Sequence, residues 1–174
     1  MSSYVSSRYV YSSWDIQQAL SALTFLMDEY EPNEISSRLH IRKLKCFENT
    51  LIIAFCRPFK TGRGRASLEL EEIGIYLSDE EAALIEKVIW LRDKIIAHSD
   101  EEAMEYRATS FQIFEDSPII SVSESFPEYL YFNNSDHRKL EVLLRRIRFS
   151  LVEYKFKCVQ NPHEIFDIVK KKIK

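Results

Sequence analysis

Leu140, Leu143, Leu144, Ile147, Leu151, Tyr154 and Cys158 recur at the spacing of one helical face. A helix with such a stripe cannot bury it alone and must pack against other elements with stripes of their own. The rest of the chain supplies them. Ile16, Leu20, Leu23, Met27 and Tyr30 repeat at helical spacing after Ser12 or Ser13, either of which can cap a first helix, and Pro32-Asn33 breaks it. A second helix is predicted from about Glu34 to Cys56, with Ile35, Leu39, Cys46 and Ile53 facing inward, and Arg57-Pro58 ends it. Its last turns, LIIAFC, are apolar almost all round, as expected of a helix buried in a bundle or at a subunit contact.

Ser78-Asp79-Glu80-Glu81 reads as a capping box, opening a helix that carries Ala82, Ile85, Val88, Ile89, Ile95 and Ile96 and ends near His98. The periodicity then changes. Tyr106–Phe114 and Ile119–Val122 alternate like strands about Glu115-Asp116-Ser117-Pro118, which predicts a β-hairpin. The Leu140 helix starts near Ser135-Asp136 and ends at Asn161-Pro162, and a short helix over 162–172 closes the chain. With only three glycines and five prolines, a turn-rich all-β fold is excluded. The expected fold is mainly α: an up-and-down bundle of four to five helices with a small β-hairpin insertion, a single domain over 1–174, with 1–11 as a flexible N-terminal segment.

The opening MSSYVSSRYVYSS has no apolar h-region, and the longest clean apolar run, Leu51–Cys56, is far short of the ~18 residues of a membrane helix. A cytoplasmic protein without membrane contact is the expectation. Cys46, Cys56 and Cys158 are odd in number and form no CxxC pair, so they read as small core hydrophobes rather than a disulfide or zinc framework. Among the described motifs none has metal-ligand spacing, and no metal or cofactor is expected. The net charge of −3 argues against a generic nucleic-acid coat, yet basic residues cluster locally, notably Lys60, Arg63 and Arg65 in the loop FKTGRGRAS, where they could contact an RNA backbone. That loop lacks the Lys-Ser/Thr ending of a P-loop.

One stretch carries chemistry: IWLRDKIIAHSDEE, from Ile89 to Glu102. Cations near a helix C-terminus are favoured by the macrodipole, and Asp100 could simply pair with His98 or Lys94. Six residues apart on a straight α-helix, Arg92 and His98 stand ~9 Å apart along the axis and ~120° around it. They cannot easily grip one small group from one chain, whereas two such helices about a twofold axis would bring each Arg and His to a shared cleft.

Arg92-Asp93-Lys94-Ile95-Ile96-Ala97-His98 resembles the R-x(4–6)-H motif of the HEPN superfamily, closest to its abortive-infection and toxin–antitoxin branch. The residue after the Arg is commonly Asn in that family; Asp93 fills the place here and puts an anion where a phosphate would bind. The resemblance implies a helical bundle and a homodimeric, metal-independent endoribonuclease acting on RNA as a toxin or phage-defence effector, with a nucleotidyltransferase-type antitoxin as a candidate partner. Arg92 and His98 would be catalytic. An imidazole with an ordinary pKa near ~6.5 can serve as acid or base, and a guanidinium can hold two phosphate oxygens at once. Asp93, Lys94 and Asp100 would support them. The alternative is a catalytically silent dimer of the same fold that binds a protein partner or a nucleotide.

Overall fold

The computed structural model describes residues 7–31, 36–61, 67–97, 105–114, 120–126 and 128–158. Four α-helices dominate these residues: α1 (Ser7–Glu29), α2 (Arg38–Cys56), α3 (Asp79–Leu91) and α4 (Asn134–Cys158). A two-stranded ribbon, β1 (Arg107–Gln112) and β2 (Ile120–Ser125), lies between α3 and α4 in the chain. The fold is therefore mainly α with a hairpin insertion. α1 packs against both α2 and α4, and α3 closes the ring from the other side against the same two helices. Lys43 pairs with Glu29 at one end of α1 and Arg57 reaches Asp15 at 3.6 Å near the other, so α1 and α2 run antiparallel. Among the described residues no helix is long and apolar enough to cross a membrane.

The α4 stripe behaves as its spacing demands: Leu140, Leu143, Leu144, Ile147 and Leu151 are all fully buried. Tyr154 and Cys158, in its last turns, are only half-buried. His137, in the first turn of α4, is buried edge-on to the rings of Tyr30 and Phe132, and burial pushes its imidazole pKa down. The capping box of α3 forms in both directions, Glu81 N–H to Ser78 Oγ at 3.3 Å and Ser78 N–H to Glu81 Oε2 at 2.9 Å.

Several expectations need correction. α1 begins at Ser7, so residues 7–11 are helical rather than flexible; Tyr9 is buried with its ring 4.4 Å from that of Tyr154, and Arg8 donates to the Ser67 carbonyl at 2.7 Å. α2 begins at Arg38, where Ser37 accepts from the His40 N–H at 3.2 Å, not near Glu34. Its inward stripe is Leu44, Glu48, Leu51, Ile52 and Phe55, which turns Leu39 and Cys46 out to solvent. LIIAFC packs within its own chain: Leu51, Ile52, Phe55 and Cys56 are buried in the bundle core and are not left over for a subunit contact. The ribbon pairs Arg107 with Ser125 through to Gln112 with Ile120, but both of its faces are largely exposed, so its alternation does not mark a buried face. LELEEIGIYL, which has no clear pattern in the sequence, folds as a 3₁₀ turn over Glu71–Ile73 that buries Leu68, Leu70, Ile73 and Ile75. Gly74 ends that turn at φ +76, a left-handed conformation that favours glycine. The predicted helix over 162–172 lies outside the described residues.

Glu48 holds this arrangement at one decisive point. It is fully buried on α2, and its Oε1 accepts from the backbone N–H groups of Tyr131 (2.7 Å) and Phe132 (3.0 Å), in the segment that leads into α4. Its other oxygen takes Lys45 Nζ at 3.1 Å, and that ammonium sits over the Tyr131 ring. Burial raises the Glu48 pKa and lowers that of Lys45, so the pair is held for its geometry against a desolvation cost. Glu48→Leu, which orphans two N–H groups and an ammonium, is expected to destabilise the fold by about 3 kcal/mol or more. Glu48→Gln, which keeps the acceptor oxygen, should cost less than half as much in urea denaturation.

Candidate functional site

The ladder of α3 changes at Arg92. The Arg92 N–H is shared between the Val88 and Ile89 carbonyls, whereas Ala97 N–H bonds the Arg92 carbonyl at 2.9 Å, five residues back. Residues Arg92–Ile96 are consequently a π-helical turn. The interruption falls where a charge enters the apolar stripe: Arg92 follows Ile85 by seven residues and Val88 by four. Ile95 and Ile96 pack on the core in the widened turn, while Arg92 keeps 34% of its side chain in solvent. Single π turns inside helices are often found at functional sites. Arg92–Ile96 is therefore not the straight α-helix assumed for the Arg92–His98 separation, and His98 itself lies outside the described residues.

Lys60 approaches from the end of α2. Pro58 sits in the 3₁₀ turn Arg57–Phe59 that closes α2, and its carbonyl accepts from the Leu68 N–H at 2.7 Å. This fixes the backbone from which Lys60 reaches the π turn. Lys60 Nζ donates to Asp93 Oδ2 at 2.6 Å, and Arg92 Nη1 donates to Asp93 Oδ1 at 2.7 Å. One carboxylate thus gathers two cations, one on each oxygen. The Lys60 bond, and after it the Arg92 bond, holds the Asp93 pKa below the ordinary carboxylate value despite partial burial. Beneath them the buried Cys56 thiol donates to the Val88 carbonyl at 3.7 Å, and burial pushes its pKa up to about 12, so it is a neutral wall of the site and not a nucleophile.

The three charged side chains are each about a third exposed, where ion pairs contribute only ~0–1 kcal/mol to folding. Stability does not explain the cluster. Two positive groups against one negative leave a positive charge at an open surface, with the guanidinium and ammonium protons that Asp93 does not take left to offer an anion. Asp93 is the built-in competitor for that anion.

Of the residues singled out in the sequence, Arg92, Asp93 and Lys60 come together. Lys94 lies exposed on the same turn. His98, Asp100, Arg63 and Arg65 lie outside the described residues. Sequence reasoning grouped Lys60 with the basic loop and missed its contact with Asp93; Pro58 signalled only the end of α2, and the packing of that end against α3 supplies the rest. The sequence matches no family model and no curated relative, and no solved structure matches it.

The cluster makes a measurable statement about pH. Followed by carbon-detected NMR, the Asp93 carboxyl should titrate below the ordinary aspartate value of about 3.9. Because its folded pKa is depressed, the small stability it adds is present above that value and fades as pH falls below it. Lys60→Ala should raise the midpoint more than Arg92→Ala does, since the Lys60 bond is the larger cause.

Proposed function

We propose that this chain is a metal-independent endoribonuclease of the HEPN type, which its Arg92–His98 motif resembles, acting as a toxin or phage-defence effector. The observation that supports it is the meeting of Arg92 and Lys60 on the two oxygens of one half-buried carboxylate, an arrangement able to hold two oxygens of a phosphodiester. In the reaction the ribose 2′-oxygen attacks phosphorus and the bond from phosphorus to the 5′-oxygen breaks. His98 of one subunit, beside Arg92 of the other, takes the 2′-hydroxyl proton and passes it to the leaving 5′-oxygen. Arg92 carries the charge that builds on the non-bridging oxygens, where a pre-oriented donor is worth most. Lys60 draws in the RNA backbone, together with Arg63 and Arg65 of the same loop. The working form is a cytoplasmic homodimer with its site at the twofold axis, and a nucleotidyltransferase-type antitoxin is the partner expected to restrain it.

One observation favours a second reading. Asp93 already occupies the guanidinium that would grip the phosphate, and a chain that keeps this pair would be a silent binding module. Cleavage separates the two. Arg92→Ala and His98→Ala should each lower cleavage of single-stranded RNA by about 10²–10³-fold without loss of fold. Arg92→Lys should fail as well, because a point charge cannot make a bidentate grip. Lys60→Ala should act mainly on KM. Products should carry 2′,3′-cyclic phosphate ends and form equally in EDTA. No cleavage by the wild-type chain, or 3′-hydroxyl ends, would decide for the silent module or another chemistry.

A further inference from the structure

The outer face of α4 carries three large apolar side chains that are mostly exposed: Val142 (64%), Phe149 (64%) and Phe156 (76%). They are spaced seven residues apart, so they form one line along the helix, directly opposite the buried Leu140–Leu151 stripe. Among the described residues α4 packs against α1 and α3 through its buried stripe, and this line lies on its opposite face. On a helix of 25 residues this line is a narrow apolar strip flanked by charges, Arg145 and Arg146 on one turn and Glu153 on another.

We infer that this face binds the same face of a second copy, with the two α4 helices antiparallel about a twofold axis at Phe149. The line is self-complementary in that register. Phe149 meets its own copy, and Val142 lies level with Phe156 of the other chain, small against large, at both ends of the seam. Charge agrees with shape. Glu153 makes no ion pair among the described residues, and the register sets it level with Arg145 of the other chain, about 6 Å between Cβ atoms for helices about 10 Å apart, while Arg146 stays with Glu81 of its own chain at 2.9 Å. Arg145 now leans on Glu141 of its own helix at 2.7 Å and is 61% exposed, free to span the seam. An anionic membrane is the other surface that a helix with apolar and basic residues can meet. Glu153 stands only ~40° from the apolar line and would be driven into the headgroups, so the second copy is favoured.

This contact is separate from the twofold at Arg92 and does not depend on RNA cleavage. Sedimentation equilibrium on the full chain tests it. Phe149→Lys should weaken self-association by at least about thirtyfold; its side chain is mostly in solvent, so the fold should be kept, as far-UV circular dichroism will show. Arg145→Glu alone should weaken association too, and adding Glu153→Arg to it should restore it, since the reversal re-forms both pairs across a twofold. In a chain with Cys46→Ser and Cys158→Ser, Phe149→Cys should link two copies on mild oxidation. An unchanged association constant for Phe149→Lys overturns the inference, even if a dimer persists through the Arg92 surface. So does a wild-type chain that stays monomeric at the highest concentration reached, or one that instead binds phosphatidylserine vesicles through Phe149.

Discussion

A buried carboxylate decides how this chain closes on itself. After α3 the backbone leaves the bundle for the exposed ribbon and must return in the right place to begin α4. Glu48 sets that place, because two successive backbone N–H groups just before α4 end on one of its oxygens. Lys45 neutralises it without burying fully, keeping its ammonium over an aromatic ring. The cost of holding two charges away from water is offset by geometry: with the entry to α4 fixed, its apolar stripe falls on α1 and α3 rather than on solvent. Everything outside depends on the same choice, including which face of α4 is left bare.

Much of this fold is legible in the residues. The apolar stripes of α1 and α4, the Ser78–Glu81 box and the change of period after His98 each follow from local chemistry, and they placed the helices and the hairpin. The failures have a common form. Glu48, a charged residue in the middle of a helix, reads as solvent-facing until the chain that covers it is known. Leu39 and Cys46 read as inward by residue type, although the line through Leu44, Leu51 and Phe55 turns both of them outward. Tyr9 and Arg8 tie down the start of α1 through contacts with Tyr154, Ser67 and Glu72, which no local rule foresees.

The candidate site divides the same way. Arg92 and Asp93 stood out in the sequence because charges interrupt an apolar stripe, and the helix widens into a π turn at that interruption. Lys60 could not be joined to them from the sequence, since the two segments meet only through the packing of α2 against α3. Asp93 gives the cluster its character. It holds both cations in place and competes for them, so a phosphate must displace or share it.

Mixing two inactive chains tests the central claim most directly. Arg92→Ala and His98→Ala, each without cleavage alone, are unfolded and refolded together and assayed on single-stranded RNA. A ribonuclease whose site is shared across a twofold axis regains activity in the mixture, because the mixed dimer holds one Arg92 and one His98 from opposite chains. A mixture that forms mixed dimers yet stays as silent as its parts, or a His98→Ala chain that cleaves at the wild-type rate, contradicts the account.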